Sequence, residues 1–146
     1  MAPSATKTQT TALASELRLA VHRLSRRLRR ERAVGTLMAG QLSALATLDA
    51  HGPLSPSALA DHERVQPPSM TRIISRLEEL GLVSRAPHPT DRRQFVLTLT
   101  AEGRATVADE RRRKEAWLAS VLVKLSDEEL AAIAAALPVI ERLAGA

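Results

Sequence analysis

Between Gln66 and Leu77 the chain interleaves two kinds of residue. Met70, Ile73, Ile74 and Leu77 recur at helical spacing, and Ser69, Thr71, Arg72, Ser75 and Arg76 fill the positions between them. On a helix the first set lines one side and the second is left to solvent. Hydroxyls, amides and guanidinium groups presented together can hydrogen-bond base edges and phosphate oxygens. A guanidinium fork meets guanine or a phosphate with two bonds at once. Gln66 and Ser69 stand near the start of this helix, where its dipole favours phosphate. Arg72 suits a bidentate contact to guanine, and Arg76, one turn later, a phosphate. Further on, Asp91-Arg92-Arg93 sits in a polar turn, where an arginine can enter a narrow A·T-rich minor groove and gain from its negative potential. Asp91 is itself repelled by phosphate and is expected to brace an arginine through an ion pair. These are binding groups. No nucleophile–base pair, carboxylate dyad or glycine-rich phosphate loop accompanies them, so the sequence supports no enzymatic activity and no cofactor.

The flanking pattern shows what must hold these side chains in place. Leu13, Leu17, Val21, Leu24 and Leu28 mark one face of a first helix, expected to run to about Arg32 after a disordered arm at residues 1–11. A second helix carries Leu42, Leu45 and Leu48 and stops at His51-Gly52. Ser55-Pro56 caps a short third helix. Gln66-Pro67-Pro68 then opens the helix of interest, residues 67–80, and Gly81 closes it. The period next changes to two. Leu82–Arg85 and Gln94–Thr100 read as strands, with Phe95, Leu97 and Leu99 on one face and a wing at residues 86–94 between them. Thr100 caps a long helix, and Ser126-Asp127-Glu128-Glu129 is a capping box for the last one. Pro138 is expected to kink that last helix or loosen its end. Two short helices joined by a bend and followed at once by a hairpin make a winged helix-turn-helix.

Composition agrees. In 146 residues, 45% are apolar while Phe95 and Trp117 are the only aromatics, so the core must be aliphatic and the chain mostly helical. The net charge of +5 suits a polyanionic partner. Cysteine is absent, which excludes disulfides and thiolate metal sites. His22, His51, His62 and His88 stand singly without carboxylates at metal-ligand spacing, and no metal site is expected. With no span long enough for a bilayer and no secretory signal, a cytoplasmic location is expected. The arginines between Arg23 and Arg32, and Arg111 to Lys114, read as solvated faces or partners for acidic groups of another subunit.

Leu59-Ala60, Pro68-Ser69-Met70-Thr71-Arg72, Arg76-Leu77-Glu78-Glu79-Leu80-Gly81-Leu82-Val83-Ser84-Arg85, Asp91-Arg92-Arg93 and Leu99-Thr100-Ala101-Glu102-Gly103 together resemble the MarR family of bacterial transcription regulators. The resemblance implies a mainly α fold with a small β-hairpin wing, and a homodimer in which N- and C-terminal helices interlock. In domain terms these are a dimerisation helix at 12–35, a winged helix-turn-helix at 36–100 and C-terminal dimerisation helices at 101–146. It implies that two lobes bind a palindromic double-stranded DNA operator. Gln66, Ser69, Thr71, Arg72 and Arg76 would act from the helix, and Asp91, Arg92 and Arg93 from the wing. It also implies repression relieved by a small lipophilic or phenolic effector. The chain departs from many helix-turn-helix sequences at Glu63-Arg64, where an apolar residue and glycine are usual. Two other functions stay open at this level: non-specific nucleoid-type DNA binding, and a winged helix used for protein contact.

Overall fold

Prolines at helix starts and glycines at helix ends punctuate the chain where it turns. A computed structural model describes residues 7–31, 35 and 37–145. The elements are α1 (Lys7–Arg30), α2 (Ala39–His51), α3 (Pro56–Glu63), α4 (Pro67–Glu79), β1 (Val83–Pro87), β2 (Phe95–Leu99), α5 (Ala101–Leu122) and α6 (Asp127–Ala144). This is the helical order with a single hairpin that the periodicities predict. The chain divides into two compact units, Ala33–Arg112 and the pair of segments Met1–Arg32 and Arg113–Ala146, with the dividing line inside α5.

The central unit is built on caps and an aliphatic core. Ser55 Oγ accepts from the Ala58 N–H at 3.2 Å, with Pro56 at the first helical position of α3. A cap of this kind contributes about 1 kcal/mol. Gly52, at φ 77°, ends α2. Leu45 of α2, Leu59 of α3, Met70 and Leu77 of α4 and Leu97 of β2 are fully buried and meet in one cluster. Each contributes roughly 1.5–3 kcal/mol by leaving water. β1 and β2 pair antiparallel from Val83 opposite Leu99 to Pro87 opposite Phe95. Leu54 joins this sheet through an isolated bridge to Leu97, with N–H···O distances of 2.7 and 3.3 Å. The sequence shows Pro53-Leu54 only as a lead into α3, since a single bridging residue has no period. Phe95, Leu97 and Leu99 share a face as expected, yet Val96 on the other face is buried too.

The bend between α3 and α4 answers the departure at Glu63-Arg64. Arg64 takes the left-handed conformation itself, at φ 52° and ψ 44°, and is the one non-glycine residue with positive φ among those described. Its N–H reaches Asp61 O at 3.2 Å, and the Val65 N–H reaches Ala60 O at 3.0 Å. The Thr47 hydroxyl donates to Glu63, tying the bend to α2. A side chain in this conformation costs about 1–2 kcal/mol that glycine avoids, against glycine's larger loss of chain entropy. Arg64→Gly is therefore expected to leave stability unchanged or raise it by up to about 1 kcal/mol in urea titration. A clear loss would show that the Arg64 side chain itself holds the bend.

The outer unit differs from expectation at the two ends of α1. The disordered arm expected at residues 1–11 is helical from Lys7, because α1 continues backward and Thr11 Oγ1 bonds to Lys7 O at 2.9 Å. Residues 1–6 of that arm lie outside the described residues, as does Arg32, and α1 ends at Arg30. α6 runs as one helix past Pro138 to Ala144. A proline removes one N–H from the ladder, and seventeen neighbours in the same helix carry the turn across the gap. The capping box holds as read, with Ser126 Oγ accepting from Glu129 N at 3.2 Å and Glu129 Oε2 from Ser126 N at 2.9 Å. Neither α1 nor α6 has a buried residue. Arg27 lies over the Trp117 ring, 4.5 Å from its centroid, and also pairs with Glu31.

Candidate nucleic-acid interface

α4 is seated by its apolar side and open on the other. Met70, Ile74 and Leu77 are buried, while Gln66, Ser69, Thr71, Arg72, Ser75 and Arg76 are all exposed. Thirteen residues give α4 a length of about 20 Å, enough to lie along a major groove. The exposed groups are not equivalent. Arg72 enters no hydrogen bond or ion pair within the described chain, so its whole fork is available. Arg76 is drawn to Glu79, Nη1 to Oε2 at 3.1 Å. The Thr71 hydroxyl donates to Pro67 O at 3.0 Å and keeps only acceptor capacity for an outside partner. Gln66 occupies the cap position of α4 without using its side chain there.

The wing is shaped by side chains that fold its turn. His88 Nδ1 accepts from the N–H groups of Thr90 at 3.3 Å and Asp91 at 3.1 Å. Asp91 Oδ1 accepts from the Arg93 N–H at 3.0 Å, and Oδ2 from the Gln94 amide at 3.2 Å. The expected ion pair from Asp91 to an arginine side chain is thus replaced by a backbone turn: a short carboxylate reaches the amide two residues on more readily than a long side chain pointing outward. The side chains of Arg92 and Arg93 are left exposed and without partners among the described residues. The role of His88 was missed from the sequence, where a histidine before proline carries no distinctive signal.

Arg85 is the other residue that sequence reading passed over. Its guanidinium bonds both oxygens of Glu78, with Nη2 to Oε2 at 3.2 Å, and lies over Phe95 at 4.2 Å from the ring centroid. The hydrogen bond it donates to Glu78, opposed by slight desolvation, raises the guanidinium above its ordinary pKa. One side chain therefore links α4, β1 and β2 and fixes the wing against the helix. Arg85→Ala is expected to lower stability by no more than about 1 kcal/mol, since the pair is half-exposed. It should nevertheless weaken DNA binding several-fold by freeing the wing, measured by fluorescence anisotropy beside a thermal melt. Unchanged binding would assign Arg85 to stability alone.

Below the wing, Thr100 Oγ1 donates to Gly81 O at 2.6 Å and accepts from the Gly103 N–H at 3.0 Å. A Cβ added at Gly103 would stand 2.0 Å from Leu82 O. Gly81 itself sits at φ 70°. The Gly-Leu-Val and Leu-Thr-x-x-Gly segments are thus two halves of one joint between α4, β1 and α5.

The four histidines do not all stand apart. His51 and His62 stack with ring centroids 4.3 Å apart, joining the ends of α2 and α3. Among the described residues no group of three potential metal ligands forms around them or elsewhere. No helix of the described residues is long and apolar enough to cross a membrane. Near the C-terminal end of α4 lies a mainly apolar cavity of about 440 Å³, bordered by Leu37, Leu42, Leu80, Leu82, Ala105 and Glu110.

Comparison with known proteins bears on this arrangement. A family model described as the MarR family matches residues 37–95. The chain is 48% identical over 117 residues to an uncharacterised helix-turn-helix transcriptional regulator of Mycobacterium bovis, covering 80% of this chain and 82% of that protein. It is 36% identical over 90 residues to the transcriptional repressor MdtR of Bacillus subtilis, covering 62% of this chain and 58% of that one. Among solved structures, a putative transcriptional regulator from Pseudomonas aeruginosa superposes with a TM-score of 0.86 at 33% identity, covering 97% of this chain and 99% of the other.

Proposed function

Since this chain belongs to the MarR family and is a DNA-binding transcription regulator, we propose that it works in the cytoplasm as a homodimeric repressor of a pseudo-palindromic operator. The observation that carries the reading is the unencumbered Arg72 on the open side of a helix whose other side is locked into the core. Gln66, Ser69, Thr71, Arg72 and Arg76 contact the major groove in this proposal. Arg92 and Arg93 address the adjacent minor groove, and Asp91 shapes the turn that presents them. Half-sites then lie about one helical turn apart, roughly 10 bp centre to centre. Repression is the reading favoured by the likeness to MdtR.

Dimerisation is supported by apolar surface that the described residues leave exposed. Leu13, Val21 and Leu24 of α1 and Leu137, Ile140 and Leu143 of α6 are each between 41% and 63% exposed. Amphipathic helices with no fully buried residue among those described call for a partner, and a second copy supplies the same stripes by symmetry. Leu137→Glu is expected to convert the dimer to monomer in sedimentation velocity. Operator affinity should fall by two orders of magnitude or more as the two-site advantage goes. A wild-type monomer would contradict the proposal.

The apolar cavity is where a small lipophilic or phenolic effector would be accommodated. Leu80 caps the end of α4, so an occupant there bears on the reading helix directly. The decisive experiment is affinity for duplex from upstream of the chain's own gene against unrelated duplex at moderate salt. No preference would favour nucleoid-type coating, and no binding would favour a protein-contact module. Effector response is tested separately, by thermal shift and operator release with a panel of phenols and lipophilic anions.

A further inference from the structure

The arginines of α1 have no task in the reading of DNA by α4 and the wing. Spacings of four, four and three residues place Arg18, His22, Arg26 and Arg29 along one side of α1. At 1.5 Å per residue the line extends about 16 Å. All four side chains are exposed, and Arg18, Arg26 and Arg29 enter no hydrogen bond or ion pair within the described chain. Glu16 is the one acidic residue of α1, and its position two residues before Arg18 puts it on another side. Arg27, by contrast, is paired with Glu31 and stacked on Trp117. The apolar residues Leu17, Leu24 and Leu28 fall on the side of the helix away from the stripe.

We propose that the stripe Arg18–Arg26–Arg29 is a second DNA-binding surface that grips the phosphate backbone without reading sequence. Three like charges held in a row, none of them paired with an acid among the described residues, repel one another less once a polyanion is supplied. Arginine fits phosphate with two parallel bonds, and the three arginines stand about 12 and 4.5 Å apart along a rigid rod. Duplex DNA is the polyphosphate that a chain of this family meets. A lipid surface fits less well, because insertion needs the apolar side of the same helix, which the dimer proposed above would occupy.

The test uses the full chain with Arg18, Arg26 and Arg29 changed together, once to Gln and once to Lys. Binding to an unrelated 40-base-pair duplex is followed by fluorescence anisotropy between 50 and 200 mM salt. Each phosphate contact contributes about 0.9 to the slope of log affinity against log salt. The Gln variant is expected to lose about 2 to 3 from that slope. Its loss of affinity across the salt range should shrink on the order of tenfold or more, with the Lys variant restoring most of it. Preference for the operator over unrelated duplex should stay as in the wild type. An unchanged slope in the Gln variant overturns the proposal, whether or not the wild type binds anionic vesicles. So does a Gln variant that becomes monomeric or melts early, because the arginines would then be pairing with acids of a second subunit. Arg72→Ala in the same assay keeps the two ideas apart: it tests sequence reading by α4 and leaves the stripe intact.

Discussion

Gly103→Ala is expected to lower the stability of the winged unit by about 3 kcal/mol, toward the upper end of what overpacking usually costs. The methyl group would point at Leu82 O from 2.0 Å, and the carbon of the same carbonyl lies at 3.0 Å. Backbone is the least forgiving obstacle, since it cannot rotate away as a side chain does. Leu82 O also accepts from the Thr100 N–H at 3.1 Å, so moving it breaks the bond that starts α5. Relief by shifting α5 would pull Thr100 Oγ1 from the Gly103 N–H and from Gly81 O. Urea titration should show a large fall in midpoint with little change in slope, and DNA binding should survive at low temperature. Gly145→Ala is the control, because the nearest atom to its added Cβ is at 3.7 Å. If Gly103→Ala melts with the wild type, α5 and β1 are held less rigidly than this joint requires.

Arg72→Ala is expected to have the largest effect on recognition. A bidentate contact to one base discriminates by about 1–3 kcal/mol, which is roughly 5- to 150-fold in operator affinity. Binding to unrelated duplex should fall much less, because only one phosphate-competent charge is lost. Fold stability should hold, as Arg72 is exposed and its side chain holds no partner among the described residues. Arg76→Ala should behave differently. Its guanidinium is shared with Glu79, so its loss should weaken operator and unrelated DNA alike and by less. The comparison is made by anisotropy on both duplexes at one salt concentration. Equal losses on the two for Arg72→Ala would reduce that residue to a phosphate contact.

Much of this molecule was legible in the order of its residues. Apolar spacing of three and four between Met70 and Leu77 fixes which side of α4 faces the core, whatever surrounds it, because the helical period leaves no alternative. Ser55-Pro56, Thr100 and the Ser126–Glu129 box mark helix starts through bonds that close within four residues. Such local chemistry needs no knowledge of the rest of the chain.

Tertiary structure decided what depends on distant neighbours. Arg85 could be assigned only once Glu78 and Phe95 were seen to converge on it. The purpose of Gly103 appeared only when Leu82 arrived beside it. Leu54 became part of the sheet through a single bridge that no periodicity announces. Local propensity is a property of a few adjacent residues, whereas a close approach is a property of the whole path of the chain; the first can be read in sequence order and the second cannot.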